Sequence, residues 1–502
     1  MAPASADNIA QAVLTKFDAL PPKRKPTVRG NGIVEWVPLS GIVAECTSYR
    51  YPFIVLYAVQ YQCLKCLPQT RIATLQGRIL HDSHAEILAL RGFNHYLLTC
   101  CHSLLDPPAS PSPYASDPEE PPNIITYHHG TDGLPPFKIK EGICLHLYTS
   151  EAPCGDSSME LVMAAQEDST PWPSSPPPGL PPQETPAPPP APSSGAPNSL
   201  EPTPRNLPGR ANFSSLSVLR RKPSRADAPP TLSKSCSDKL SLKQCTSLLS
   251  SLTSLFIRPT NVYLASIIIP QVQLDVCAPG FARAFGGAEG EGRMAPLGGR
   301  RLPSSETKNG TGDSTSVRGA SDDNYGSNSD KELYSFHPMH PRGISLSFQY
   351  RRPASLPSSS PSPPPCTPAK HSPSNLSTLW NPAGLNEGLI NGVLQGRKPT
   401  DPKGMSALCR QRMWELAREV ASLIALRSHA HGSIGDALKV STYEEVKQSS
   451  LLSARRVVVA KVREKALKGW VRNLGDEKFG LDGDTVEAGA RKDAGRRLQQ
   501  TS

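Results

Sequence analysis

Apolar residues recur at four-residue intervals near the start of the chain, at Ile9, Val13 and Phe17, and predict a short N-terminal helix. A basic turn, LPPKRKP at residues 20–26, follows it, and EWVPLSGIVAE at residues 35–45 reads as a strand despite its proline. From His84 the apolar positions Leu90, Phe93 and Leu97 lie on one helical face. ICLHLYT at residues 143–149 alternates like a strand and runs into SEAPCGDSSMELVMAAQE, a turn followed by a helix. SKSCSDKLSLKQCTSLLSSL is a further helix candidate and NVYLASIIIP a further strand. Helical spacing returns in the basic last hundred residues, at Met413, Leu416, Val420 and Leu423 and at Val459, Val462, Ala466 and Trp470. No internal repeat is visible.

Composition changes this picture by removing chain from the core. The sequence has 502 residues, 54 of them proline, and only 37% are hydrophobic. Stretches near 104–125, 167–210, 286–330 and 353–374, and a tail at 481–502, are too rich in proline, serine and glycine to offset the entropy of ordering, so they are expected to be disordered. One sizeable folded domain interrupted by insertions is therefore expected at residues 31–480, preceded by a helix and basic linker at 1–30.

The net charge of +10 and a sequence pI of about 9.0 favour an anionic partner such as nucleic acid. No basic segment followed by an apolar run opens the chain, so export is not expected. The apolar patch YPFIVLYAVQY at residues 51–61 falls short of the roughly 20 residues a membrane helix needs. Twelve cysteines without a regular frame fit reduced intracellular thiols, in nucleus or cytoplasm, a few of them metal ligands.

The chemistry begins at His84-Ala85-Glu86, an H-x-E at a predicted helix start. Zinc nucleobase deaminases pair H-x-E with P-C-x-x-C, the glutamate moving protons rather than binding metal. Pro153-Cys154-Gly155 supplies the start of the second element, but Ser157 stands where the second thiolate belongs. A catalytic zinc needs three protein ligands, so the third must come from elsewhere. Cys236, at the start of another predicted helix, is well placed, because unpaired N–H groups and the helix dipole favour a thiolate there. A lone H-x-E arises often by chance and a lone cysteine is most often a buried thiol; the ordered set His84, Glu86, Cys154 and Cys236 is what points to zinc.

HAEILALRGF, SEAPCGDSSM and SCSDK resemble the motifs of the adenosine deaminases acting on RNA. RRKPSRAD at residues 220–227, similar to R-x-K-P-G-R-G-D, the terminal TYEEVK and KGWVRN, and the absence of a double-stranded-RNA-binding domain make the tRNA-specific branch the nearest match. The resemblance spans roughly residues 36–479 and implies a cytidine-deaminase-like α/β fold, a mixed sheet flanked by helices and wrapped by a helical C-terminal half. It implies that His84, Cys154 and Cys236 hold zinc and that Glu86 shuttles protons. Zinc there would lower the pKa of a bound water to about 7 and so supply the nucleophile for C6 of adenine, giving inosine and ammonia. The branch's usual target is the adenosine immediately 3′ of the anticodon in alanine tRNA. The family also buries inositol hexakisphosphate, and Arg91, Lys239, Arg410, Tyr443, Lys447 and Trp470 stand at the matching positions. Lys65, Lys222 and Arg225 are the implied substrate contacts, and a monomer is expected.

Departures from the family pattern are local. Leu242 replaces an arginine after SCSDK, and Ser224 and Ala226 replace glycines. Gln62, Cys63 and Leu64 depart from the T-G-T-K-C that lines the family's nucleotide pocket, although Lys65 and Cys66 match. Residues 47–62 resemble no family strand and read as translated intron. Two further readings therefore stand beside a tRNA deaminase: a messenger-RNA editor, and an RNA-binding homologue whose pocket is altered. The intact ligand set and Glu86 favour an enzyme.

Overall fold

Where a sheet is covered on both faces, its strands lose the clean alternation of apolar and polar residues and read as continuous apolar runs. LASIIIP and LSGIVAEC are such runs, and both lie at the centre of the molecule. The computed structural model describes residues 4–46, 53–59, 72, 75–107, 123–128, 134–164, 207–209, 215–222, 231–287, 291–298, 302, 333–353, 370–427, 431–473 and 475–481. The strands are β1 (Val34–Trp36), β2 (Leu39–Cys46), β3 (Phe53–Val59), β4 (Ile125–Tyr127), β5 (Phe137–Ile139), β6 (Ile143–Thr149), β7 (Leu207–Pro208), β8 (Arg220–Arg221), β9 (Leu264–Pro270), β10 (His340–Ile344), β11 (His371–Pro373), β12 (Ser377–Trp380), β13 (Asn386–Ile390) and β14 (Val393–Leu394). The α-helices are α1 (Ala6–Asp18), α2 (Ala85–Leu105), α3 (Met159–Ala164), α4 (Cys236–Thr246), α5 (Gln271–Phe285), α6 (Arg410–Arg427), α7 (Gly432–Leu438), α8 (Tyr443–Gln448) and α9 (Ser453–Lys465).

Eight strands form one mixed sheet in the order β10-β9-β6-β2-β3-β12-β13-β14. β10, β9 and β6 run parallel, and the remaining neighbours pair antiparallel. On one face Leu39, Val43, Tyr148 and Ile268 meet Ile9, Val13 and Phe17 of α1. On the other, Ile42, Ala44, Leu145, Leu147, Ile267 and Ile269 meet α2 through Leu90, Phe93 and Leu97. Each of these side chains contributes roughly 1.5–3 kcal/mol by leaving water, so α2 is fixed firmly against the sheet and its first turn with it. Ser5 caps α1 by accepting from the Asn8 amide at 3.1 Å.

The N-terminal helix, the 143–149 strand and the helix after His84 form where the spacing predicts them. EWVPLSGIVAE is instead two strands, because Pro38 has no N–H to offer the ladder; β1 pairs with β11 and β2 joins the main sheet. Residues 53–59, inside the segment that reads as intron, form β3 between β2 and β12. The C-terminal half is not purely helical, since β12 to β14 extend the sheet. In α9 the buried stripe is Val458 and Val462, one position off the Val459 expectation, and Trp470 lies beyond the helix end. Most of the expected insertions and the tail fall outside the described residues. At their margins, β4, β7 and β11 are paired strands, and Arg293 and Met294 are buried.

Because Val458 packs beside Cys245 and Leu219 while Val459 is partly exposed, Val458→Ala should cost about 2 kcal/mol and Val459→Ala less than half of that. Urea midpoints of the two variants measure the difference.

Candidate metal centre and catalytic carboxylate

His84 is the N-cap of α2, in an extended conformation, and its side chain makes no capping bond. The ring turns to Asp82 instead, with Nδ1 at 2.8 Å from Oδ1. A carboxylate can only accept, so Nδ1 carries the hydrogen and Nε2 is left with its lone pair for a metal. Cys236 opens α4, which Ser235 caps by accepting from the Asp238 amide. Cys154 precedes a tight turn in which Gly155 takes φ +110, and a Cβ there would lie 2.3 Å from the Ser235 hydroxyl.

These three segments converge. The donor atoms of His84, Cys154 and Cys236 all lie within 4.8 Å of one another. Zinc–sulfur and zinc–nitrogen bonds of roughly 2.3 and 2.0 Å reach a common point among donors so spaced, and one nitrogen with two sulfurs is a catalytic zinc's donor set. The Glu86 Oε2 is 3.3 Å from Cys236 Sγ, so the carboxyl borders the same point.

Around the donors, Asp82 gathers positive charge. It accepts from the Lys222 ammonium at 2.9 and 3.1 Å, from Ser233 Oγ at 3.3 Å and from Lys239. Burial would raise its carboxyl pKa, but Lys222, Lys239 and His84 hold it well below the usual range. Lys222 also donates to Cys236 Sγ at 3.3 Å. The hydrogen bond from Cys236, with Lys222 and His84 adding, holds the Cys154 thiol well below its ordinary pKa. Burial, and then Cys154 beside it, pushes Glu86 upward, toward the range where a carboxyl both takes and gives protons.

A pair of serines fixes one cysteine segment on the other. Ser157 Oγ and Ser237 Oγ are 2.7 Å apart, Ser237 Oγ donates to Cys154 O at 2.9 Å, and the Ser237 amide donates to the same oxygen at 3.0 Å. Position 157, which holds a thiolate in P-C-x-x-C, thus carries a hydroxyl that registers the Cys154 turn on the start of α4. At Gly280, α5 passes so close that a Cβ would sit 2.8 Å from Ser157 O.

The sequence brought out His84, Glu86, Cys154 and Cys236, which are together, but gave no role to Asp82, Ser237 or Lys234. Asp82 could have been found from its spacing, two residues before the imidazole it orients. Lys222, expected at the substrate, has its ammonium on Asp82 and Cys236. Lys65 and Arg225 lie outside the described residues. Of the anion-site candidates, Arg410 and Lys447 lie 5.8 and 5.6 Å over the Tyr443 ring, and Arg91 donates to Leu408 O at 3.3 Å. The Trp470 ring has the Lys234 ammonium at 5.6 Å and the Arg463 guanidinium at 5.1 Å.

An adenosine-deaminase (editase) domain model matches residues 64–285, which include His84, Glu86, Cys154 and Cys236. The chain is 29% identical over 473 residues to "tRNA-specific adenosine deaminase 1" of Schizosaccharomyces pombe, covering 93% of this chain and 95% of that protein. It is 32% identical over 281 residues to the protein of the same name from Saccharomyces cerevisiae, covering 53% of this chain and 59% of the relative. A shorter match, 35% over 95 residues, reaches "Double-stranded RNA-specific editase B2" of Rattus norvegicus, covering 19% of this chain and 11% of that protein.

Replacing Asp82 with asparagine removes the anion that orients the imidazole while keeping its shape. Zinc affinity, read by competition with a chromophoric chelator, should fall about 10–100-fold in Asp82→Asn, and His84→Ala should retain no stoichiometric zinc.

Proposed function

This chain carries the adenosine-deaminase (editase) domain and is a homologue of tRNA-specific adenosine deaminase 1, and we infer that it hydrolytically deaminates adenosine to inosine in tRNA. The observation that carries this is the convergence of one imidazole and two thiols within 4.8 Å, with the Glu86 carboxyl beside them. The fold is read as the cytidine-deaminase-like kind, and the target as the adenosine immediately 3′ of the anticodon of alanine tRNA, acted on inside the cell by a monomer.

The donor set fits zinc, which when bound supplies the Lewis acid that makes water a nucleophile near neutral pH. Glu86 would take one proton from the attacking water and pass it to adenine N1, then take the second from the resulting C6 hydroxyl and pass it to the amine, which departs as ammonia as the C6 carbonyl forms. Its raised pKa suits both directions of transfer. Asp82 holds the His84 ring in place. Adenine C6 cannot be attacked inside a stack, and an anticodon loop presents bases already unpaired. Among the described residues, no helix is long and apolar enough to cross a membrane.

A buried polyanion, inositol hexakisphosphate, fits the cations behind the metal centre. Asp476 accepts from Arg410 and Glu477 from Lys447, so those two cations have anions at hand. Lys234 is buried, and burial, with Lys239, Arg221 and Arg463 adding, pushes its pKa down to about 7. The Arg463 Nε is buried without a hydrogen-bond partner. Crowded buried cations of this kind are costly unless an anion joins them.

Zinc-loaded protein should convert alanine tRNA and leave a double-stranded RNA unchanged. Glu86→Ala should reduce inosine at least 1,000-fold while keeping its zinc. Absence of inosine from the fully loaded wild type would refute the reading, and conversion of the duplex instead would favour a messenger-RNA editor.

The polyanion makes a separate prediction. Below about pH 7 Lys234 is protonated both folded and unfolded, so the cost of its burial is fully present; toward its ordinary pKa of 10.5 only the unfolded chain holds the proton, and stability climbs. Protein freed of polyanion should melt higher at pH 9 than at pH 7, Lys234→Met should flatten that rise, and inositol hexakisphosphate at pH 7 should raise the melting temperature of the wild type more than that of the variant.

A further inference from the structure

The metal centre lies beyond one end of the sheet, and the same end gathers a second set of side chains. The carboxyl ends of β6, β9 and β10 lie side by side, with Tyr148 opposite Ile268 and Ile344 opposite Pro270. The antiparallel β2 begins there, with Ser40 opposite Thr149. From β6 the chain runs through Glu151 to Cys154, and from β10 it runs to Tyr350, Arg351 and Arg352. The two paths are joined. The Arg352 amide donates to Glu151 Oε1 at 3.2 Å, and the Val37 amide donates to Tyr350 O at 2.9 Å. Glu151 Oε2 accepts from Gln273 at 2.8 Å, and Gln273 Oε1 accepts from the Ala152 amide at 2.7 Å. The backbone at 350–352 is therefore anchored to the segment that carries a metal ligand.

The side chains on this anchored backbone are placed differently. Arg351 and Arg352 are exposed, neither forms an ion pair with a described residue, and the Arg352 guanidinium lies 5.8 Å over the Trp36 ring. Trp36 ends β1, which pairs with β11, and the exposed Lys370 accepts through its carbonyl from the Val34 amide at 2.9 Å. A guanidinium within cation–π reach of an aromatic ring is partly held in place and loses less side-chain entropy when it meets a phosphate. We propose that Arg351 and Arg352, the latter beside Trp36, form a phosphate-binding ledge next to the segment that leads from β6 to the ligand Cys154. The ledge takes the sugar–phosphate backbone of the RNA strand next to the unstacked adenosine.

RNA is favoured over an acidic protein because the ledge is anchored to Glu151, three residues before the ligand Cys154, on the path of a strand that presents its adenosine to Glu86; the fork itself suits phosphate and carboxylate alike. The inference rests on the reading of the chain as an RNA deaminase, and it adds how the strand is held. Contacts to phosphate carry no sequence information but fix register, which here decides which nucleotide reaches Glu86.

The test uses the full zinc-loaded chain and its Arg351→Ala/Arg352→Ala variant. Affinity for alanine tRNA is measured by fluorescence anisotropy across a salt series, alongside kcat and KM for inosine formation. Each phosphate contact contributes about 0.7–0.9 to the slope of log affinity against log salt, so losing two should reduce the slope by between about 1 and 2. KM should rise about tenfold at 150 mM salt with kcat within about twofold. Arg351→Lys/Arg352→Lys should recover most of the slope. An unchanged slope and KM would overturn the ledge, as would a loss confined to kcat with loss of zinc, which would mean that the arginines only support the Glu151 turn. Wild-type protein that binds tRNA with the expected slope difference but makes no inosine refutes the deaminase reading and leaves the ledge standing. Active wild type with no slope difference does the reverse.

Discussion

One buried carboxylate organises the centre. Asp82 is 3% exposed and receives hydrogen bonds from the His84 ring, the His84 amide, Lys222, Ser233 and Lys239. These come from three stretches of chain, so a single anion draws together the imidazole ligand, the strand-like segment at β8 and the approach to Cys236. A charge so deeply placed is tolerated only because cations and hydrogen bonds surround it, and those same cations favour thiolate at the neighbouring sulfurs. Removing Asp82 would deprive the buried Lys222 and its neighbour Lys239 of the carboxylate they share.

The remainder of the centre follows from how the sheet is covered. With α1 on one face and α2 on the other, the sheet cannot shift in either direction without exposing apolar surface. The first turn of α2 is therefore held as firmly as its middle. Ligands at helix starts inherit that rigidity and also the unpaired N–H groups that stabilise thiolate. The Ser157–Ser237 pair completes the fixation by linking the two cysteine segments directly rather than through the metal.

How much of this was legible in the sequence depends on how few residue types could do each job. Zinc accepts few donors, so His84, Cys154 and Cys236 stood out, and Glu86 followed from its place beside the imidazole. Helix α2 and strand β6 were legible because their apolar spacing admits one interpretation. In α9 three consecutive valines, Val457 to Val459, allow any of them to face inward, and contact with Cys245 and Leu219 chose Val458. β12 and β13 are short, STLW and NEGLI, with polar residues followed by apolar ones rather than alternating, so neither shows a period, and α5 is obscured by Pro279 within it. Lys222 was expected at the substrate from the likeness of RRKPSRAD to the family motif; its burial against Asp82 depends on a chain reversal that no local pattern encodes.

The cysteine segments are 82 positions apart in sequence yet bonded directly, amide to sulfur and hydroxyl to carbonyl. Much of the chain between them is the proline-rich tract, while the chain that returns from it is pinned to the Cys154 turn by the Ser217 amide on Asp156 and to the Cys236 helix by the Arg220 amide on Asp238. Loop-closure entropy grows only by about 0.6 kcal/mol for each doubling of length, so the geometry of the ligands is recorded in the pins rather than in the number of residues they enclose.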